Sequence, residues 1–146
     1  MICATKIIEF SAAHRVLYSK GPCENLHGHN YKAEITFCSE HLNENEMVID
    51  FLEIKKIVKT WIDQNWDHNV ILCEKDSELI NALEKSIGQK AFVEKFNTTA
   101  ESLAIFLLNL CNHNLFKQYE DIKCHKVRIW ETDSSYADAN YNNTTK

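Results

Sequence analysis

Apolar and polar residues alternate along two early stretches of the chain. In TKIIEFSAAH (5–14), Ile8, Phe10 and Ala12 alternate with Glu9 and Ser11, the period of two expected of a strand with one buried face. His14 falls in phase with that apolar row. In HGHNYKAEITFCS (27–39), Tyr31, Ala33, Ile35 and Phe37 alternate with Lys32, Glu34 and Thr36, and His27 and His29 share the apolar parity. The period then lengthens. Over residues 50–65, Ile54, Ile57, Val58, Trp61 and Ile62 recur at helical spacing, with Asp50 placed as an N-cap and Glu53 as its partner three positions on.

Residues 77–96 predict a short helix ending near Gly88, followed by an edge strand in KAFVEKF. A second helix is expected from Thr98, because Thr98 and Glu101 fit a capping box and Leu103, Leu107 and Leu110 continue one face as far as residues 112–114. HKVRIWET (125–132) then predicts a strand with Val127 and Ile129 on one face, with SYADANY as its returning partner. The order is two strands, helix, mixed segment, helix, two strands, which predicts a single α+β domain over residues 1–146.

Composition narrows the class. A chain of 146 residues with 45% apolar and 25% charged positions buries enough surface to fold without a metal or disulfide. No apolar run approaches the roughly 18–20 residues needed to cross a bilayer, so no membrane partner is expected. The net charge of −5, without a basic stripe, argues against nucleic acid. The N-terminus lacks the pattern of a secretory leader and the terminal NNTTK is no prenylation box, so the cytoplasm is the expected address. There all six cysteines are expected as reduced thiols, with Cys3, Cys38, Cys73, Cys111 and Cys124 acting as small buried hydrophobes.

The candidate chemistry begins with the three phased histidines. His27 and His29, two apart on one strand, project to the same face, and His14 on another strand of the sheet completes a triangle suited to a divalent ion. Polar rings in register with apolar rows are either paired in the core or aimed at a ligand. A metal-free, hydrogen-bonded loop junction also fits the spacing of His27 and His29. Cys23, four residues before His27, fits a fourth thiolate ligand, a nucleophile or base beside an open site, or a buried bystander.

Asp67 and His68 resemble a carboxylate–imidazole pair available for proton transfer, although neighbours on one strand would point apart and such a dipeptide is more often a solvated turn. Glu131 ends an apolar strand row. Its two oxygens would suit a ligand presenting adjacent N–H groups, such as a guanine or pterin edge, unless the strand has already ended in water.

Taken in order, FSAAHR (10–15), Cys23-x3-HGHNY (23–31), IDF (49–51), DHNVIL (67–72), Thr99-Ala-Glu (99–101) and WET (130–132) resemble the 6-pyruvoyltetrahydropterin synthase and 6-carboxytetrahydropterin synthase family across nearly the whole chain. The three-residue gap after Cys23 is similar to the bacterial carboxytetrahydropterin type. The resemblance implies a tunnelling fold, an antiparallel four-stranded sheet with two helices on one face in ββααββ order. It further implies that three subunits join their sheets into a barrel and that two trimers pair as a homohexamer.

It also implies that His14, His27 and His29 bind Zn2+, that Cys23 is the base, and that Asp67 and His68 form a second proton-transfer pair. Glu131, Thr99 and Thr132 would hold the pterin of 7,8-dihydroneopterin triphosphate. The implied reaction yields 6-carboxy-5,6,7,8-tetrahydropterin, acetaldehyde and triphosphate, on the route to 7-deazaguanine nucleosides such as queuosine. The alternatives are a pyruvoyl synthase, which eliminates triphosphate and keeps every side-chain carbon, and a non-catalytic zinc- or pterin-binding module. Thr98 departs from the family's usual proline, and segment 73–96 is longer than in compact members. The triphosphate contacts are left open, with Arg15 and Lys20 near the site in sequence.

Overall fold

Two strands of 13 residues each, β1 (Ile2–His14) and β2 (His27–Ser39), run antiparallel through the middle of the sheet. They pair without a slip from Ile2 opposite Ser39 to His14 opposite His27. The computed structural model describes residues 1–141, and the terminal NNTTK lies outside the described residues. The alternation in sequence becomes two faces. Ile8, Phe10, Ala12, Tyr31, Ala33, Ile35 and Phe37 are buried on one, while Glu9, Lys32, Glu34 and Thr36 lie on the other. β5 (Lys123–Thr132) pairs antiparallel with β2 across a bulge, and β6 (Ser135–Asn140) returns along β5.

The sheet has six strands rather than the expected four. β3 (Asn69–Cys73) runs parallel to β1, and β4 (Phe92–Glu94) runs parallel to β3, giving the order β4-β3-β1-β2-β5-β6. The sheet is therefore mixed. Of the two, β3 escapes periodicity for a physical reason: Val70, Ile71, Leu72 and Cys73 are all buried, so it has no polar face to alternate with. β4 is the edge strand expected within KAFVEKF, shortened to three residues.

Helix α1 is built from segments Phe51–Ile54, Lys55–Lys59 and Thr60–Asn65, the middle one widened to π geometry. Asp50 caps it as expected, its side chain accepting from the Leu52 N–H at 2.8 Å. Glu53 does not close the capping box, because it accepts the Tyr119 hydroxyl instead. Helix α2 (Ser77–Ile87) ends at Gly88, whose φ of 68° supplies the left-handed cap.

Helix α3 (Ala100–Leu110) continues into a π turn at Cys111–Leu115. Its cap is Thr99, accepting from the Ser102 N–H at 3.3 Å, one residue later than the expected Thr98. Thr98 is fully buried and bonded elsewhere. Ile54, Val58 and Ile62 of α1, with Leu103, Ala104 and Leu107 of α3, join the inner sheet face in one apolar cluster.

The cysteines differ from expectation at two positions. Cys3 and Cys38 lie opposite each other on β1 and β2 and form a disulfide, and Cys3 is exposed. An in-register cross-strand pair places the two β-carbons within bridging reach, although 35 residues separate them in sequence. Cys73, Cys111 and Cys124 are free and buried, as expected. No described helix is long and apolar enough to cross a membrane.

Candidate metal centre and adjoining cavities

The unbroken β1–β2 register brings the C-terminal end of one strand against the start of the other, so His14 faces His27, with His29 two residues along on the same side. Gly28 permits the approach, since a β-carbon there would meet the Ala12 carbonyl oxygen at 3.2 Å. The three imidazoles offer nitrogen atoms that all lie within 4.8 Å of one another. His14 Nδ1 lies 2.6 Å from the Thr98 carbonyl, and His27 Nδ1 lies 2.7 Å from the Asn25 carbonyl. A carbonyl only accepts, so each Nδ1 donates and each Nε2 keeps its lone pair.

His14 Nε2 and His29 Nε2 are buried and have no hydrogen-bond partner. Two buried, unpartnered ring nitrogens in one place are costly without a ligand, and converging neutral imidazoles are a donor set suited to Zn2+ and related divalent ions. The residues present therefore fit the metal that the sequence resemblance implies. Cys23 is not a fourth member of the ligand group.

Burial pushes the pKa of His14 down to about 4, against the pull of its Thr98 bond and with further lowering from His27 and His29. Burial also lowers His29, while Glu131 opposes the shift. A folded-state pKa below the unfolded value of 6.5 means that stability is whole above pH 6.5 and is lost as pH falls toward 4. For His14 the loss amounts to about 3 kcal/mol. We expect the urea midpoint of metal-free protein to fall across that window. A flat midpoint would contradict a buried neutral His14.

Around this cluster the structure brings together some of the expected residues and separates others. Glu131 Oε1 lies 3.7 Å from His14 Nε2, beyond hydrogen-bonding reach, and its side chain is 26% exposed. It borders two cavities. One of about 740 Å³ is lined by His29, Tyr31, Asp67, Glu131 and Thr132, among others. The other, of about 340 Å³, includes His14, Cys23, Thr99, Glu101 and Glu131 in its lining. Cys23 sits exposed in the short turn Pro22–Glu24, which rules out the buried-bystander reading.

Asp67 and His68 do meet. His68 adopts a left-handed φ of 57° just before β3 begins, so the two side chains do not splay as strand neighbours would. His68 Nδ1 stands 3.0 Å from Asp67 Oδ2, while Ser11 fixes both residues: its N–H donates to Asp67 Oδ1 at 2.8 Å and its carbonyl accepts the His68 N–H at 2.7 Å. Burial works against ionisation of Asp67, but the Ser11 and His68 bonds outweigh it and hold the carboxyl below its usual range. His68 lines a cavity of about 420 Å³ with His29 and Gln89, and Cys23 is not in that lining.

Two residues near the cluster carry more than their sequence pattern suggests. Tyr31 packs edge-on to His29 and His14 with its hydroxyl buried and unpartnered. Burial, and then the charge of Glu131, push its phenol pKa up. In sequence it reads as one more apolar position. Arg15 donates to buried Asp76 at 2.5 and 2.6 Å, so its guanidinium is already committed within the fold.

The chain is similar to known proteins over nearly its whole length. Residues 3–142 match the profile of the 6-pyruvoyl tetrahydropterin synthase family. The chain is 37% identical over 138 residues to a Rickettsia bellii protein named 6-carboxy-5,6,7,8-tetrahydropterin synthase, covering 94% of this chain and 99% of the relative. The fold is similar to a crystal structure of an uncharacterised protein from Wolinella succinogenes, with a TM-score of 0.80 at 24% identity over 97% of this chain and 98% of that one. It is also similar to the Caenorhabditis elegans 6-pyruvoyl tetrahydropterin synthase, with a TM-score of 0.71 at 24% identity over 97% and 96%. The profile match over residues 3–142 and the 37% identity over nearly the full length show that the chain belongs to the 6-pyruvoyl tetrahydropterin synthase family.

Proposed function

We propose that this protein is a zinc-dependent 6-carboxy-5,6,7,8-tetrahydropterin synthase, converting 7,8-dihydroneopterin triphosphate with release of acetaldehyde and triphosphate, in the biosynthesis of 7-deazaguanine nucleosides such as queuosine. The observation that carries the reading is the pair of buried, unpartnered Nε2 atoms, with His14 lining one cavity beside Cys23 and Glu131 and His29 lining another beside Glu131. The carboxy product is supported by the name of the Rickettsia bellii relative. The match to the Caenorhabditis elegans pyruvoyl enzyme, at 24% identity, bears on fold alone.

His14, His27 and His29 would hold the zinc. When bound, zinc acts as a Lewis acid toward the side-chain hydroxyls and eases loss of their protons. Cys23, on an exposed turn, accepts a proton from the substrate side chain as thiolate. His68, oriented through Nδ1 by Asp67, carries the second proton transfer. Glu131 accepts two N–H bonds from the pterin edge, and Thr99 and Thr132 support the ring from either cavity. Triphosphate is lost, one water supplies the second carboxyl oxygen, and the bond between the first and second side-chain carbons breaks while the dihydropterin ring takes up the two electrons released, leaving the 6-carboxytetrahydropterin and acetaldehyde.

Cys23 and His68 border different cavities of one chain. That separation supports an assembly in which a second copy brings the two groups together, in keeping with the proposed hexamer of two trimers. The outer strands β4 and β6 also each have a free edge among the described residues, available for joining sheets.

Replacing Glu131 with alanine is expected to weaken pterin binding on the order of 100-fold, since two hydrogen bonds to a charged acceptor disappear, with zinc content unchanged. Unchanged affinity in a fluorescence titration would return Glu131 to a solvent role. Mass analysis of the product tests the reaction itself. A 6-carboxypterin supports the proposal, a retained three-carbon side chain identifies a pyruvoyl synthase instead, and unaltered substrate identifies a binding module.

A further inference from the structure

Four consecutive residues from the end of β1 are tied down, three of them to Asn97 or Thr98 and one to Cys23. The His14 ring donates to the Thr98 carbonyl at 2.6 Å, and the Arg15 carbonyl accepts the Thr98 hydroxyl at 3.1 Å. The Val16 N–H donates to the Cys23 carbonyl at 2.8 Å. Leu17 is held at both backbone groups: its N–H donates to Asn97 Oδ1 and its carbonyl accepts from Asn97 Nδ2, each at 2.9 Å. The side chain of Asn97 thus pairs with Leu17 as a strand neighbour would, while Thr98 holds His14 and Arg15.

The segment held this way is strained. Tyr18 and Lys20, immediately after Leu17, have φ values of 66° and 55°, although neither is glycine. Such conformations persist only where surrounding contacts over-determine them. The bonds from Asn97, Thr98 and Val16 provide that restraint and close loop 15–26 on Cys23 at one end and on β1 at the other. Thr98 is fully buried, so its bonds are shielded from water.

We infer that Asn97 and Thr98 are positioning residues for the proposed reaction: they fix the Cys23 turn against the His14 end of the histidine cluster without touching substrate. The inference rests on the proposed role of Cys23. Thr98 serves both partners at once, orienting His14 through its carbonyl and the loop through its hydroxyl. Asn97 acts on the loop alone. An Asn97 substitution therefore separates the two functions, because it loosens the loop while leaving the orientation of His14 intact.

The test compares Asn97→Ala, Asn97→Asp and Thr98→Val with wild type, each loaded with zinc. Hydrogen exchange of peptides spanning residues 15–26, zinc content and steady-state kinetics are read on the same preparations. Asn97→Ala is expected to raise exchange at Val16 and Leu17 and to lower kcat roughly tenfold or more, since small misplacements of a reacting group carry such costs. KM and zinc content should stay within about threefold of wild type in that variant.

Asn97→Asp keeps the acceptor for the Leu17 N–H but loses the donor, and should fall between wild type and Asn97→Ala. Thr98→Val keeps the carbonyl that holds His14 and provides a second reading should Asn97→Ala fold poorly. It should raise exchange over the loop and lower kcat, with zinc retained. Raised exchange with unchanged kcat would reduce the clamp to a structural tie and overturn the inference, as would a fall in kcat matched by zinc loss.

Wild type that binds zinc but leaves dihydroneopterin triphosphate untouched would instead defeat the proposed function. The clamp is then judged by alkylation of Cys23, the exposed free thiol. An iodoacetamide rate altered at least fivefold by Asn97→Ala upholds it, and an unaltered rate overturns it.

Discussion

His29→Ala is expected to lower zinc affinity a hundred- to a thousandfold and to leave a protein purified without bound metal. Structural zinc sites supply roughly 10–16 kcal/mol from four ligands, so one imidazole accounts for roughly 2.5–4 kcal/mol. His29 is a stringent choice because its Nε2 is buried and has no protein partner, so metal binding is the role its position leaves open. Its removal takes away an orphaned polar atom from the metal-free protein, which should not lose stability in proportion. The prediction is therefore a dissociation of effects: metal lost, fold kept. Metal analysis after dialysis, alongside thermal unfolding of metal-free wild type and variant, checks it. A His29→Ala protein that keeps one zinc per chain would remove the cluster from the account.

Cys23→Ala should do the reverse. Zinc and pterin binding should stay within about threefold of wild type while turnover falls by roughly 10²–10⁴, the usual contribution of a positioned general base. The structure makes this a clean test, since Cys23 lies on an exposed turn and is not among the grouped metal donors. Truncating it opens no core cavity. Normal turnover by the variant would transfer the base role to another group, whereas loss of zinc would show that the thiol is a ligand after all.

What could be read in the sequence follows from how far each signal acts. The inner faces of β1 and β2 were legible because period-two burial is local, and the same parity placed His14, His27 and His29 on one side before any fold was known. The Asp50 cap was legible for the same reason. β3 was hidden by its burial on both faces, and the Cys3–Cys38 bridge by a register that only the folded sheet defines.

The misplaced cap at α3 is instructive. Thr98 and Glu101 satisfied a local motif, but His14 and Arg15, more than 80 positions earlier, engage Thr98 and shift the helix start to Thr99. Likewise, nothing local announces that His68 turns left-handed to meet Asp67, or that Asn97 holds Leu17. The long-range polar contacts that position the candidate site are those that sequence periodicity carries least.

The central claim is that the three histidines support a carbon–carbon lyase. Its most direct test is to strip the protein with chelator, titrate zinc back in the presence of 7,8-dihydroneopterin triphosphate, and measure acetaldehyde at each step. Stripped protein should form no acetaldehyde, and zinc should restore it in a linear rise to saturation at one zinc per chain, with an equal yield of 6-carboxytetrahydropterin. Acetaldehyde formed without zinc, or zinc-dependent loss of triphosphate with no acetaldehyde, would contradict it.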